Sequence, residues 1–415
     1  MTTTSKTARS AAIAVMLAGF ILCQSSFSAS WKEVYSLAEK NNEGLRIAEK
    51  DLESMEWQYK KSLASFLPQL SASAGYGKTD TGGASSTSTS YGLSATQSLF
   101  SGFGDLNASK KAYARLEHSR ADLVQKKADA LYAVRAAFID LVIAEKDLAL
   151  QKQILARRLE NAKLIDLLYN SGKEDKGNML LTHADVESSR ASVSQAERAL
   201  DLARLNLSQL AGAEIEKADL SGTTPDIKGY IDINALAQNS PSYSMASYTY
   251  NVAAISADEA LAGLLPDLSA TGTLRRSGSE WPPQTESSTW NISLSYSFFP
   301  GGSNIAEKII KEIEKEKAAQ SLEQTKKDIL YLVNFSYNSL ANRIETLRVK
   351  ALYLNAATER ARIARTKYIN GLMSYDEWDR TENSYISAEK DFLSSQKDAY
   401  VAEAAFKKSY GGWVQ

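Results

Sequence analysis

Apolar positions recur along most of the chain at spacings of three, four and seven. In the first half Val134, Phe138, Leu141, Leu148, Leu155, Ala162 and Tyr169 form one seam; in the second half Val333, Tyr337, Leu340, Leu347, Leu354, Ala361 and Tyr368 form another. A period of 3.5 predicts helices that pack along a narrow stripe, as in coiled coils. From Asn107 to Tyr169 there are 63 residues without Pro or Gly, which predicts a helix of about 95 Å at 1.5 Å per residue. With mixed charges on its other faces, a helix of that length needs lateral neighbours to be stable.

Between the helical stretches the period changes to two. Leu70, Ala72, Ala74 and Tyr76 alternate with Ser71, Ser73, Gly75 and Gly77, and Tyr91, Leu93, Ala95 and Leu99 alternate with Gly92, Ser94, Thr96 and Ser98. The second half gives Leu268, Ala270 and Leu274 against Ser269, Thr271 and Thr273, then Trp290, Ile292, Leu294, Tyr296 and Phe298 against Asn291, Ser293, Ser295 and Ser297. One apolar face, one small-polar face, a length of about ten residues and aromatics near the ends predict tilted transmembrane strands. Lys78 to Thr87 and Ser277 to Ser288, rich in Gly, Ser, Thr and Pro, are expected to be solvent-exposed hairpin loops. A soluble sheet packed on one core is the alternative, but the long helices offer no compact layer to cover the apolar faces. Four strands cannot close a barrel by themselves, since the smallest have about eight. Strands that span a membrane here must therefore share one barrel among subunits.

The two halves repeat each other. Phe66-Leu67-Pro68-Gln69-Leu70-Ser71-Ala72 returns as Leu264 to Ala270, Ser98-Leu99-Phe100 as Ser297-Phe298-Phe299, and Tyr169, Gly172 and Gly212 return 199 residues later as Tyr368, Gly371 and Gly411. Self-similarity of this kind is the mark of a tandem duplication. The expected organisation is a signal peptide over 1–30; a first repeat over 31–212 with a hairpin at 68–100 and a tip turn near 170–176; a linker over 213–240; and a second repeat over 241–415 with a hairpin at 266–300 and a tip turn near 370–375.

Composition narrows the function. Lys and Arg total 48 against 49 Asp and Glu, for a net charge of −1, which lacks the concentrated basic footprint of a nucleic-acid binder. A mean hydropathy of −0.31, with no late apolar run of 18 residues, argues against a helical membrane protein. Lys6 and Arg9, the apolar stretch from Ala11 to Leu22 and the small residues after it read as a secretory signal peptide. Leu22 stands where a lipoprotein signal wants a small residue before Cys23. Two His and one Cys cannot assemble a zinc tetrad, so no metal or cofactor is expected. Gly77-Lys78-Thr79 lacks the first Gly of a phosphate loop, and Ser394 and Lys397 have no companion catalytic motif. His118 and His183 stand alone on helices, and Lys308 to Lys317 reads as a solvated helix face with Glu/Lys pairs. No enzyme is expected.

Taken together, the Leu37-Ala38-x-x-Asn41-Asn42 opening and its echo Leu236-Ala237-x-Asn239-Ser240-Pro241, the Leu67-Pro68-x-Leu70 and Leu265-Pro266-x-Leu268 helix exits, the Gln97-Ser98-Leu99-Phe100-Ser101-Gly102 and Ser297-Phe298-Phe299-Pro300-Gly301-Gly302 strand exits, and the Tyr-x-x-Gly tips at Tyr169 and Tyr368 resemble the TolC family of outer-membrane efflux and type I secretion channels. The resemblance implies a mainly α fold with a transmembrane β part: long α-helical hairpins that build a trimeric α-barrel, and four strands per chain in a shared 12-stranded β-barrel. It implies a homotrimer in the outer membrane, most of its chain in the periplasm, working with a periplasmic adaptor and an inner-membrane transporter. Carried over by residue, it implies adaptor-docking tips at Asn170, Gly172, Lys173, Gly371, Leu372, Met373 and Ser374, and an acidic entrance at Asp376, Glu377 and Asp379. Arg380 stands where some members have a second acid.

Locally, those three acids are equally explained as first-turn residues that favour a helix N-terminus, with Ser374 as N-cap. Tyr76, Tyr91, Trp290, Tyr296 and Phe298 suit a membrane-interface girdle. The function these features imply is a passive exit duct for small molecules in a tripartite export system. Type I protein secretion through the same duct, and a periplasmic coiled-coil scaffold without a pore, are the alternatives.

Overall fold

A computed structural model describes residues 28–220, 225–227 and 231–413. The signal peptide expected over 1–30 falls outside these residues as far as position 27, Cys23 included. Ser28–Ser30, at its end, form a short strand, β1. In chain order the remaining elements are α1 (Trp31–Asn41), α2 (Glu43–Ser62), β2 (Gln69–Thr81), β3 (Ala84–Ser101), α3 (Gly104–Asn170), α4 (Lys176–Ala211), β4 (Lys217–Asp219), α5 (Ile233–Gln238), α6 (Pro241–Glu259), β5 (Asp267–Gly278), β6 (Thr285–Ser295), α7 (Ser303–Ile369) and α8 (Tyr375–Ser409). The chain is mainly helical, with α3 and α7 each 67 residues long. No helix among the described residues is long and apolar enough to cross a membrane.

The residues divide into two compact units. One comprises the chain up to Asn42 with Ala133–Asp226 and Arg343–Val401; the other comprises Glu43–Tyr132, Ile227–Asn342 and the chain from Ala402.

In the first unit, β1 pairs in parallel with β4. Ser30 then caps α1: its hydroxyl accepts from the Glu33 N–H at 3.4 Å, and the Glu33 carboxylate accepts from the Ser30 N–H at 2.8 Å. This is a capping box, which satisfies two donors left open at a helix start. Val34 and Ala38 of α1 enter a core with Val134, Phe138, Leu141 and Val142 of α3 and Leu200, Leu207 and Ala211 of α4. Phe138 is fully buried and meets Trp31 edge to face at 5.6 Å. The seam read from the sequence is thus buried at Val134, Phe138 and Leu141, but here the buried face is wider than a seam and takes in Ala137, Ile139 and Ile143. Along α7 the buried stripe stays narrow, at Ala361, Ala364 and Tyr368.

The Asn41-Asn42 motif has a physical reason. Asn42 Nδ2 donates to the Leu210 carbonyl at 2.8 Å, and α4 ends on Gly212 at φ 64° with its Cα against Asn41. A Cβ on Gly212 would lie 2.6 Å from the Asn41 Cβ and 2.9 Å from its carbonyl oxygen. Gly212→Ala is therefore expected to combine left-handed strain with a steric overlap and cost about 3 kcal/mol. Gly172→Ala, which has the same handedness but open space, is expected to cost about 1 kcal/mol. Denaturant midpoints of the two variants measured side by side test this; equal losses would rule out the close approach.

The second unit holds an antiparallel sheet in the order β2-β3-β5-β6. Among the described residues, β2 and β6 each pair on one side only. The ladder departs from the sequence expectation at both hairpins. β2 and β3 stay paired as far as Thr81 and Ala84, so the expected loop at 78–87 shrinks to Gly82-Gly83, and Ser277 still pairs with Thr285. Gly, Ser and Thr strands hydrogen-bond through their backbones whether or not their side chains are apolar. At the other end β6 stops at Ser295, opposite Asp267, because Pro266 supplies no N–H to continue the ladder. Tyr296 and Phe298, expected within the hairpin over 266–300, therefore lie beyond its second strand.

Candidate functional site

The two tip turns come together within the first unit. α3 ends at Asn170, the chain turns through Gly172 at φ 74°, and Asp175 caps α4 by accepting from the Asn178 N–H at 2.9 Å. α7 ends at Ile369, the chain turns through Gly371 at φ 72°, and Ser374 caps α8 by accepting from the Glu377 N–H at 3.3 Å. Positive φ is the reason both turns carry Gly. Lys173, Glu174, Asn178, Gly371, Ser374 and Asp376 help to line a polar recess of about 880 Å³ between the turns. Asn170, Gly172, Lys173, Gly371 and Ser374 are exposed, and Leu372 is 76 % exposed although apolar. Met373 is half-buried and packs on the aromatic cluster below.

That cluster fixes the tip. Tyr368 and Trp378 stack with ring centres 4.5 Å apart and planes 6° apart, and Tyr375 meets Trp378 edge-on at 6.0 Å. Tyr368 donates its hydroxyl to Glu174 at 2.6 Å, joining the end of α7 to the first tip turn. Burial, then the bond to Glu174, pushes the Tyr368 phenol far above its usual range. Thr182 donates to the Asn178 carbonyl at 2.8 Å, so the Tyr375 hydroxyl, 2.7 Å from the Thr182 Oγ1, is the donor in that pair. Burial raises the Tyr375 phenol as well. Both tyrosines therefore remain neutral donors across the physiological range.

The three expected entrance acids do not share one environment. Asp376 and Glu377 are exposed. Asp379 is half-buried and lies 3.2 Å from the guanidinium of Arg158, an α3 residue that is only 7 % exposed. Arg158 also pairs with Asp185 at 3.2 Å and donates to Asn383 at 2.5 Å. Arg157 next to it pairs with Glu382 at 3.3 Å and forks onto Glu389. Two consecutive arginines of α3 thus hold α8. Burial raises the Asp185 carboxyl, while Arg158 pulls it back down.

Arg157, Arg158, Glu174 and Trp378 were not candidates from sequence. Arg158 had a signal: it sits with Gln151, Ile154, Ala162 and Ile165 at helical spacing on a buried stripe, where an arginine requires partners. His183, read as isolated, lies 2.9 Å from an Asp166 carboxylate oxygen. Lys397 pairs with Asp140 at 2.8 Å, and among the described residues no three His, Cys, Asp or Glu side chains gather as a metal site.

In the sheet, alternation puts Tyr76, Tyr91 and Trp290 on one face with Leu70, Leu93, Leu274 and Ile292. Trp290 is 82 % exposed, with its indole laid over Gly272 of the neighbouring strand; a Cβ on Gly272 would come within 2.7 Å of the ring. Covering a strand glycine with a cross-strand aromatic restores the packing the glycine lacks. Tyr91 meets Trp281 at 5.8 Å, and Arg276 beside it pairs with Glu286 at 2.6 Å. Tyr296 and Phe298 are exposed but join no ladder.

A family model described as outer membrane efflux protein matches the chain twice, over residues 34–213 and 233–412. The two matches are displaced by the same 199 residues that separate Gly212 from Gly411. Among solved structures the chain is similar to CusC, at 18 % identity and a TM-score of 0.83 over 94 % of this chain and 95 % of that one. It is similar to a membrane protein from Pseudomonas aeruginosa, at 20 % identity and 0.81 over 92 % and 93 %. A third similarity is to the open state of the MtrE outer membrane channel of Neisseria gonorrhoeae, at 20 % identity and 0.80 over 93 % and 89 %. At these identities the likeness establishes the fold. No curated protein matches the chain in sequence.

Proposed function

Because the chain belongs to the outer membrane efflux protein family, whose TolC-like members its motifs resemble, we propose that three copies assemble into a passive exit duct through the outer membrane for small molecules. The sheet carries this reading. It has one apolar face, one small-polar face and two edge strands that are open in the single chain, and three such sheets joined edge to edge give twelve strands with no edge left. On the apolar face, the Tyr76 row lies six residues from the row of Leu70, Ala95, Gly272 and Trp290, about 20 Å along a strand at 3.3 Å per residue. With strands tilted by about 40° the two aromatic levels stand about 15 Å apart along the barrel axis, with the apolar row of Leu93 and Leu274 between them.

In this reading a periplasmic adaptor docks on the tips, where the exposed Leu372 offers an apolar contact, and an inner-membrane transporter supplies the energy. The tandem repeats 31–212 and 241–415 are the two structural halves of each subunit. Asp376 and Glu377 charge the entrance, and Asp379 holds the closed tip through Arg158. Single-channel recording of trimer extracted from the outer membrane tests the duct. Discrete water-filled steps are expected, and a silent, correctly inserted trimer whose tip variants are silent too would favour the pore-free scaffold. Glu377→Gln is expected to lower the preference for potassium over chloride about fivefold. Unchanged selectivity would remove the entrance assignment.

A further inference from the structure

The polar face of the sheet carries one feature that the duct reading does not use. Following the register across the four strands, this face is built from Ser, Thr, Gly, Gln and Asn, and between Asp267 at the foot of β5 and the hairpin ends its single ionisable group is Arg275. Eight residues separate Arg275 from Asp267, about 26 Å along the strand. The row of Arg275 is Ser73, Gly92, Arg275, Ser287. Its neighbour is Gly92, where a Cβ would come within 3.3 Å of the Arg275 Cβ and 2.7 Å of the Leu274 carbonyl oxygen. The side chain is exposed, and its Nη2 donates to Ser90 Oγ at 3.0 Å.

The next residue makes an informative contrast. Arg276 lies on the apolar face, and Glu286 meets its charge there. Arg275, among the described residues, has a serine hydroxyl and no carboxylate, so its positive charge is not compensated. Rings of arginine select for anions when they line a pore.

We propose that Arg275 is a specificity-determining residue of the duct: three-fold assembly repeats it as a cationic collar inside the outer mouth, which favours anionic solutes on exit. The collar rests on the proposed trimeric duct, which puts the small-polar face in the lumen and the hairpin ends outside. It stands at the level of Tyr91 and the Arg276–Glu286 pair on the opposite face, and so at headgroup depth. There it is reached from the exterior without passage through the periplasmic entrance.

That access provides the test. Ser287→Cys places a thiol beside Arg275 on the same face. In the full-length trimer, reconstituted in vesicles, its reaction rate is compared for 2-sulfonatoethyl and 2-(trimethylammonium)ethyl methanethiosulfonate, each relative to a free thiol. Protein without the added cysteine supplies the background. The anionic reagent is expected to be favoured roughly tenfold at low salt, and the preference to fall at 1 M salt. Adding Arg275→Gln is expected to abolish the preference, Arg275→Lys to keep most of it, and Arg276→Gln to leave it unchanged. A ratio untouched by Arg275→Gln, or lowered as much by Arg276→Gln, overturns the collar. A Ser287→Cys thiol that labels only after unfolding shows instead that this face does not meet water, and the duct reading falls with it.

Discussion

Arg158→Ala is expected to destabilise the tip half of the helical unit by about 3–5 kcal/mol, the range found when one partner of a buried ion network is removed. The guanidinium serves three partners on two other helices: Asp379 and Asn383 on α8 and Asp185 on α4. Without it, Asp185 and Asp379 lose their shared partner, and Asp185 is left where burial already disfavours its charge. Asp185 sets the pH dependence. Its carboxyl is raised above the ordinary Asp value by burial and lowered by Arg158, so loss of the arginine raises it further. An acid with a raised folded pKa favours the folded state below its unfolded value and loses that contribution as pH rises through the folded value. The variant should therefore approach the parent as pH falls from 7.5 toward 5, and Arg158→Ala with Asp185→Asn should recover part of the loss at pH 7.5. Denaturant unfolding of the helical signal at both pH values measures this. A loss below 1 kcal/mol, or one independent of pH, would show that the cluster is a solvated surface contact. If the duct reading holds, the same variant should also conduct more readily, since Asp379 no longer holds α8 in place.

The long elements were legible because their signals are local. Absence of Pro and Gly over Asn107 to Tyr169 and a 3.5-residue seam suffice for a helix, and α3 extends it only to Gly104 and Asn170. Strand alternation likewise identified all four strands of the sheet and the face to which Trp290 and Tyr91 belong. Strand ends were less legible, since Gly-Ser-Thr stretches such as Lys78 to Thr87 read as loop by composition while pairing as ladder by backbone. The pairing of Ser28–Ser30 with Lys217–Asp219 joins two segments too short and polar to announce themselves. The tip network was hidden for a different reason. Arg158 and Asp379 are 221 residues apart, and nothing local to Asp376-Glu377-Trp378-Asp379 separates the acid that faces solvent from the acid that is bound. Helical phase does separate them once Arg158 is seen on a buried stripe, because Asp379 follows buried Tyr375 by one helical turn.

Trp378→Ala is expected to cost about 3–5 kcal/mol, as for other large aromatic truncations in packed sites, with the effect concentrated at the tip. The indole is 3 % exposed and meets both tyrosines of the aromatic cluster, stacked on Tyr368 and edge-on to Tyr375. Its loss unseats the two donors that join the turns, Tyr368 to Glu174 and Tyr375 to Thr182. The expected readout is proteolysis by trypsin of the folded protein, with faster cleavage at Lys173, Lys176 and Lys367 while sites in the sheet-bearing unit are unaffected, as local opening requires. Trp378→Phe distinguishes shape from hydrogen bonding. Among the described residues the indole N–H has no acceptor, so phenylalanine removes an unsatisfied donor while retaining an aromatic ring, and its cost should stay near 1 kcal/mol. Equal losses in both variants would mean that the N–H is engaged after all. Equal cleavage in both units would mean that Trp378 supports the whole helical assembly, and that the tip is no separate opening element.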